Sequence, residues 1–197
     1  MKKNKLYKGA PIVLFSCDIT RGRLIDCKDA VGGLKAVYLI NYEDVNYTEF
    51  TFGADGEITD FGTPTTPPDA YKYDLHLGND LTQNIQSSAE NGTLYFEQVL
   101  SLTLKKLTKE DNFNIRQMAA GHPHIIVEDQ MGNFWYAGLV NGMDVTGGTA
   151  VTGQSFGDLN GYTLAFTGME RELANFIVGG MATVASGFNI IEGVPTP

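Results

Sequence analysis

The chain has 197 residues, 43% apolar and 19% charged, with a formal net charge of −9. That length suits one domain, or one domain with arms, and the apolar share excludes the disordered class, which combines few apolar residues with high charge. The acidic balance argues against tight gripping of a phosphate backbone; the favoured reading is that the charge serves solubility alone, the alternative that it suits a passage along which DNA must not stick.

Lys2, Lys3, Lys5 and Lys8 make a basic start, and residues 1–10 read either as a frayed end or as an arm lying on an acidic neighbour. Ile12–Phe15 suggests a short strand, the apolar run Pro11–Phe15 is too short for a secretory leader, and no stretch reaches the ~18 apolar residues of a membrane span. The expectation is a soluble chain with no membrane partner. Cys17 and Cys27 are read as free thiols, with one disulfide the alternative; two thiols give no framework. Leu34–Ile40 reads as a buried strand. Thr48–Phe52 and Glu57–Phe61 flank Gly53-Ala54-Asp55-Gly56, a hairpin signal, and the three prolines in 63–69 predict an exposed connection.

The chain is organised around residues 71–121. Tyr71, Tyr73, Leu75 and Leu77 alternate with polar residues, predicting a strand with one buried face. The mostly polar stretch 78–93 predicts a long loop that either orders against another subunit or stays loose. Residues 94–104 repeat the alternation, broken only by Gln98. A helix follows, with Thr108 as N-cap, Glu110 and Asp111 in its first turn, and Ile115, Met118 and Ala119 toward the sheet. Gly121 is the predicted C′ residue, and Pro123 blocks continuation. Residues 125–128 and 134–139 read as strands around a turn, 143–157 as a Gly/Thr-rich stretch, and 162–167 as a last clear strand. One helix among some eight to ten strands implies a mainly β fold, a sandwich or barrel with a single packed helix. The segment Glu172–Pro197 is too glycine-rich for a good helix and too apolar for a solvated tail. It reads either as a final strand of the core or, the favoured reading, as an arm packed on an adjacent copy.

Chemistry is hard to assemble. His122 and His124 flank Pro123 near Glu128, but zinc needs three or four ligands and the set falls short. There is no GxSxG motif, neither cysteine has a catalytic context, and the glycines 147, 148 and 153 lack a P-loop ending. His76 sits at a polar position of an alternating stretch. Adjacent carboxylates such as Glu43–Asp44 and Glu128–Asp129 point to opposite faces of a strand, making poor acid/base pairs. Trp135 in an apolar strand suits a core or interface. The expectation is no enzyme, no catalytic or metal residue and no cofactor.

Four stretches carry a resemblance: GGLKAVYLINYEDV (32–45), YFEQVLSLTLKKLTKED (95–111), HIIVEDQMGNFWYAGLVNGMDVTGGTAVTG (124–153) and FGDLNGYTLAFTGMERELA (156–174). Together they resemble structural proteins of tailed bacteriophages, especially crAss-like and other phages of Bacteroidetes, and among these the tail-tube family. The resemblance implies a β-sandwich or barrel of the tail-tube type with one packed helix and extended arms, spanning 1–174 with a C-terminal arm at 175–197. It implies a virion structural protein of the tail or neck, assembled in the host cytoplasm. Identical subunits, six-fold or twelve-fold, would close into a ring or tube, dock on neighbouring tail, neck or portal-proximal proteins, and pass double-stranded DNA transiently. Strands 71–77 and 94–104 would line or support the channel and loop 78–93 would bridge subunits. The expected interface residues are Leu81, Ile85, Tyr95, Glu97, Val99, Phe176, Ile177, Phe188, Ile190 and Ile191. The alternative is a head-fibre, decoration or receptor-binding module without a channel.

Overall fold

In a computed structural model, described at residues 22–23, 28, 30–62, 64 and 66–193, twelve strands and two α-helices follow one another. They are β1 (Leu34–Ile40), β2 (Thr51–Phe52), β3 (Ile58–Asp60), β4 (Asp69–Asp74), β5 (Asp80–Ser88) and β6 (Thr93–Lys105). After these come α1 (Lys109–Met118), β7 (His124–Asp129), β8 (Phe134–Ala137), β9 (Asp144–Val151), β10 (Gly161–Glu170), β11 (Asn175–Ile177), α2 (Met181–Gly187) and β12 (Asn189–Glu192). Two 3₁₀ turns, Tyr42–Asp44 and Tyr47–Glu49, link β1 to β2. The fold is mainly β, as expected. The strand at 12–15, the basic start, both cysteines, Thr63, Thr65 and residues 194–197 lie outside the described residues.

The strands form two sheets: an eight-stranded one in the order β12-β4-β1-β7-β8-β11-β3-β2, and a four-stranded one in the order β5-β6-β10-β9. β1 and β7 lie inside the large sheet and are apolar on both faces, so their sequences are continuous apolar runs (LKAVYLI, HIIV). Val37, Leu39, Ile125 and Val127 meet Leu100, Leu102, Leu164 and Phe166 of the small sheet in one cluster. Tyr38, Ile40, Ile126 and Tyr136 face the other way, into a second cluster with Phe50, Phe61, Val184 and Phe188. The large sheet is therefore covered on both sides, while the small sheet has one covered face.

The predicted hairpin of 71–77 and 94–104 is corrected. β4 ends at Asp74 and pairs with β1 and β12 in the large sheet, while β6 belongs to the small one. The mate of β6 is β5, inside the stretch expected to be a loop, paired from Asp80↔Ser101 to Ser88↔Thr93. β5 is polar because it is a margin strand with little buried surface, and polarity was mistaken for a loop. The turn between them is residues 89–92, with Gly92 at φ 63°. β9 was hidden similarly in the Gly/Thr-rich stretch; its Thr149 and Thr146 hydroxyls meet those of Thr163 and Thr167 on β10 at 2.6 and 3.0 Å.

Gln98, the break in the β6 pattern, is 1% exposed and hydrogen-bonded through both its oxygen and its nitrogen. Its Oε1 accepts from the Gly138 amide at 2.9 Å and its Nε2 donates to the Glu172 carbonyl at 3.2 Å. It thus fastens β8 and the segment after β10 to the small sheet, satisfying groups whose burial would otherwise cost ~1–3 kcal/mol. α1 is capped as expected, Thr108 Oγ1 accepting from the Asp111 amide at 3.0 Å, and Ile115 and Met118 pack on the core. Ala119 is exposed, and Gly121 is not at positive φ, because the helix closes through Ala119 in the α region with 3₁₀-type bonds.

The expected C-terminal arm is also corrected for residues 175–192. β11 pairs with β8 and β3, and β12 pairs in parallel with β4 over Asn189↔Asp69 to Glu192↔Lys72. Between them α2 turns Val184 and Phe188 into the second cluster. The glycines that argued against a helix stand mostly before it: Gly179 and Gly180 have positive φ and turn the chain, while Gly187 leaves no room for a Cβ against Phe61.

Candidate functional site

The histidine pair separates. His124, in β7, is 1% exposed; its Nδ1 lies 2.6 Å from the Gly138 carbonyl and its ring stacks on Tyr42 at 5.0 Å. Desolvation lowers its pKa, so the neutral ring with Nδ1–H donating satisfies the carbonyl. His122 is exposed and bonds Asp144 of β9. Glu128 is held by Lys35 Nζ and by the Tyr38 hydroxyl at 3.2 Å. Among the described residues no group of three or more His, Cys, Asp or Glu could hold a metal ion. His76 is exposed just beyond β4, and Trp135 is half-buried with its ring edge-to-face on Phe176 at 5.2 Å.

The small sheet offers a different kind of site. Because Leu100 and Leu102 point into the core, Val99, Ser101 and Thr103 on β6 point out, as do Thr163, Ala165 and Thr167 beside Leu164 and Phe166 on β10. Toward the hairpin turn this outer face continues through Glu97 and Tyr95. It is hydroxyl-rich and free of lysine and arginine until Lys105.

Its margins are unusual. β5 has nine residues and β9 eight, with neither proline nor lysine, and among the described residues each pairs on one side only. The large sheet ends in short strands instead, two residues in β2 and four in β12, the latter carrying a Lys72–Glu192 ion pair at 3.0 Å. Short or charged edges are how proteins prevent edge-to-edge pairing. Among the described residues the small sheet's margins have neither, although β9 carries one register shift, opposite Ala165 and Phe166 of β10.

Of the ten residues expected at an interface, three are strongly exposed: Ile85 at 65%, Tyr95 at 39% and Ile191 at 38%. Glu97 and Val99 are half-buried on the outer face, Leu81 packs on the core opposite Leu100, and Phe176 and Ile190 are half-buried against their own chain. Ile177 and Phe188 are a correction: at 1% and 3% exposed they lie inside this chain's core and cannot meet a neighbour. Leu94, exposed at 58%, was missed although it stands two residues before Phe96 on the same face. The β5–β6 turn projects past the end of β10, whose pairing with β6 stops at Phe96, so apolar Ile85 and Leu94 overhang the core.

A second feature missed by periodicity is charge. Residues 41–69 hold seven carboxylates and no lysine or arginine. Asp44 and Glu49 sit in the 3₁₀ turns, bound by the amides of Asn41 at 3.0 Å and Asn46 at 2.7 Å, which fix their positions without neutralising them. Asp44 lines two adjoining grooves. One, of about 280 Å³, has Phe50, Phe61 and Phe188 at its floor; the other, of about 740 Å³, is walled by Tyr42, Tyr71 and Tyr73.

Compared with known proteins, the chain matches no protein-family model, no curated protein and no solved structure.

Proposed function

We propose that the protein is a ring- or tube-forming structural subunit of a phage tail or neck, its small sheet joining those of identical neighbours around a channel for DNA. The observation that carries this reading is the pair of long margins, unpaired on their outer sides among the described residues, on opposite sides of one four-stranded sheet. All its pairings are antiparallel, so β5 and β9 run in opposite directions. A neighbour's β5 laid beside β9 thus continues the antiparallel pattern, and repetition about an axis removes every edge. Six copies would close about 24 strands; at ~4.8 Å spacing and ~40° tilt the barrel is roughly 48 Å between backbones, leaving a bore of about 35–40 Å.

The outer face of the small sheet fits a wall that DNA slides past. Its hydroxyls hydrate well, and its few charges before Lys105 are negative, so a phosphate backbone finds no counterion to replace. The sequence resemblance of 32–45, 95–111, 124–153 and 156–174 to tail-tube proteins supports the same assignment. The channel strands differ from those first expected: β5, β6, β10 and β9 line it, and β4 does not. Neighbouring tail, neck or portal-proximal proteins would meet the ring's ends.

The test is electron microscopy and mass photometry of the protein across a concentration series. Closed rings of six or twelve copies, with density continuous between small sheets, are expected. A monodisperse monomer at high concentration refutes the reading, and a trimer binding glycan or capsid would favour a fibre or decoration module.

A further inference from the structure

We propose that Asn91, in the β5–β6 turn, is a site of self-modification, its side-chain amide being lost to attack by the backbone nitrogen of Gly92. The reaction needs water and no other partner. The Gly92 nitrogen, once deprotonated, bonds to the side-chain carbonyl carbon of Asn91. The bond from that carbon to the side-chain nitrogen breaks, and ammonia leaves with the proton the glycine gave up. Water then opens the cyclic imide at either carbonyl. One opening gives aspartate; the other gives isoaspartate, in which the main chain runs through the side-chain carbons. Glycine suits the attacking position because it has no Cβ to shield its nitrogen or to resist the backbone rotation that the attack requires.

The sequence holds three Asn-Gly pairs, at 91–92, 141–142 and 160–161, and the fold singles out the first. Asn141 donates from Nδ2 to the Met169 carbonyl at 2.7 Å and from its main-chain amide to Glu170 Oε1 at 2.7 Å. The Gly142 nitrogen that would attack already donates to the Gly138 carbonyl at 3.2 Å. Gly142 is also buried, with the His122 carbonyl where a Cβ would stand. Asn160 accepts from the Leu107 amide through its side chain at 3.1 Å and from the Lys106 amide through its main-chain carbonyl at 2.6 Å. Gly161 is buried in the sheet, in register with Lys105 of β6 and Val151 of β9. Either pair must break fixed structure before nitrogen and carboxamide can meet.

Asn91 and Gly92 are exposed and lie outside the ladder, which closes at Ser88↔Thr93. Among the described residues a single hydrogen bond touches this pair, from the Asn91 main-chain amide to Ser88 Oγ at 3.3 Å. It leaves the carboxamide and the attacking nitrogen without partners. The product alters the part of the small sheet that overhangs the core. Either acid adds a negative charge next to Glu90 and takes the formal net charge from −9 to −10. Isoaspartate also adds a carbon to the main chain of a short turn whose length sets Ser88 against Thr93. Exposed Ile85 and Leu94 stand on the two strands that this turn joins.

The test incubates the folded full-length chain at about pH 6 and about pH 8, then separates the intact protein by anion exchange and maps its peptides by mass spectrometry. An acidic form should accumulate with release of ammonia, its change mapped to Asn91. It should form at least about tenfold faster at the higher pH, because the attacking nitrogen must first lose its proton. In the folded chain Asn141 and Asn160 should lag Asn91 by at least about tenfold, and in urea the three should react at similar rates, since the lag comes from structure that must open. Asn91→Gln, whose longer side chain closes a less favourable ring, should suppress the acidic form. No acidic form from the folded chain, one that forms as fast in Asn91→Gln, or Asn141 or Asn160 keeping pace with Asn91 overturns the proposal. Asn91 leading by the same margin in urea overturns it too, because its selection would then owe nothing to the fold.

Discussion

Replacing Phe188 by Ala separates a segment that belongs to its own fold from one that belongs to a neighbour. Phe188 is 3% exposed, lies edge-to-face on Phe61 with centroids 4.8 Å apart, and shares a cluster with Phe50, Tyr136 and Val184. Truncating a buried phenylalanine costs about 3–5 kcal/mol, through lost transfer energy and an unfilled cavity. For a chain of this size each kcal/mol lowers the melting temperature by about 2–4 °C, so a drop of about 6–20 °C is expected. Typical total stability is ~5–15 kcal/mol, so the variant should remain folded at low temperature in favourable cases, and Phe188→Leu provides a gentler step of about 1 kcal/mol. Urea titrations followed by circular dichroism at about 1 and 50 µM are the assay, because a cost internal to the chain does not depend on concentration. Ile191→Ala, at an exposed position of β12, should stay within about 0.5 kcal/mol. A loss under about 1 kcal/mol for Phe188→Ala, with damage seen only at the higher concentration, would refute the placement of 175–192 in the core.

Thr108→Ala removes the cap of α1 and leaves the Asp111 amide without its acceptor; a loss of about 1 kcal/mol in urea is expected. Glu170→Gln tests a buried carboxylate that accepts from the Val140 and Asn141 amides at 2.9 and 2.7 Å. Burial raises its pKa above the ordinary range, with the two amides opposing, so the folded state holds the proton more tightly than the unfolded one. Its favourable contribution is present below the unfolded value of about 4.3 and is lost as pH rises through the folded value. The glutamine keeps the acceptor without the charge, so the melting temperature of the variant should fall less than that of the parent between pH 4 and neutrality; parallel curves would contradict this. Proline placed in turn at Thr146 through Ala150 on β9 should split into two classes. Where the amide serves β10 the chain is destabilised; where it points outward the melting temperature changes little and rings are lost. Rings that persist at outward positions would rule out β9 as a joining edge.

What was legible in the sequence follows from how each strand is solvated. β1 and β7, buried on both faces, read as unbroken apolar runs and were found nearly to the residue, as was β6 with its alternation. α1 carried its cap in its sequence. β5 and β9 were not legible, because a margin strand with a wet face needs no apolar pattern and takes its stability from ladder bonds to one partner. α2 was hidden by glycines that serve its approach and its contact with Phe61. The segment 175–192 was misassigned because its apolar residues were judged against a core assumed complete without them. The core was incomplete: the second cluster lacks a lid until Val184 and Phe188 arrive. Gln98 showed as an anomaly in the pattern, and only the positions of Gly138 and Glu172 explain it.

The two sheets divide the work. The large one is covered on both faces, ends in short or ion-paired strands, and holds most of the fully buried side chains; a change there is paid in stability. The small one has one wet face, two long margins that pair on one side only among the described residues, and an overhanging turn with Ile85 and Leu94 exposed. The margins and the turn are liabilities for a solitary chain, inviting uncontrolled edge pairing and exposing apolar surface. Both margins are removed together if the sheet continues into a neighbour on each side, since one contact then pairs a β5 with a β9. A closed ring is the finite form of that arrangement, whereas a dimer would use only one margin of each copy or require β5 and β9 to pair with themselves.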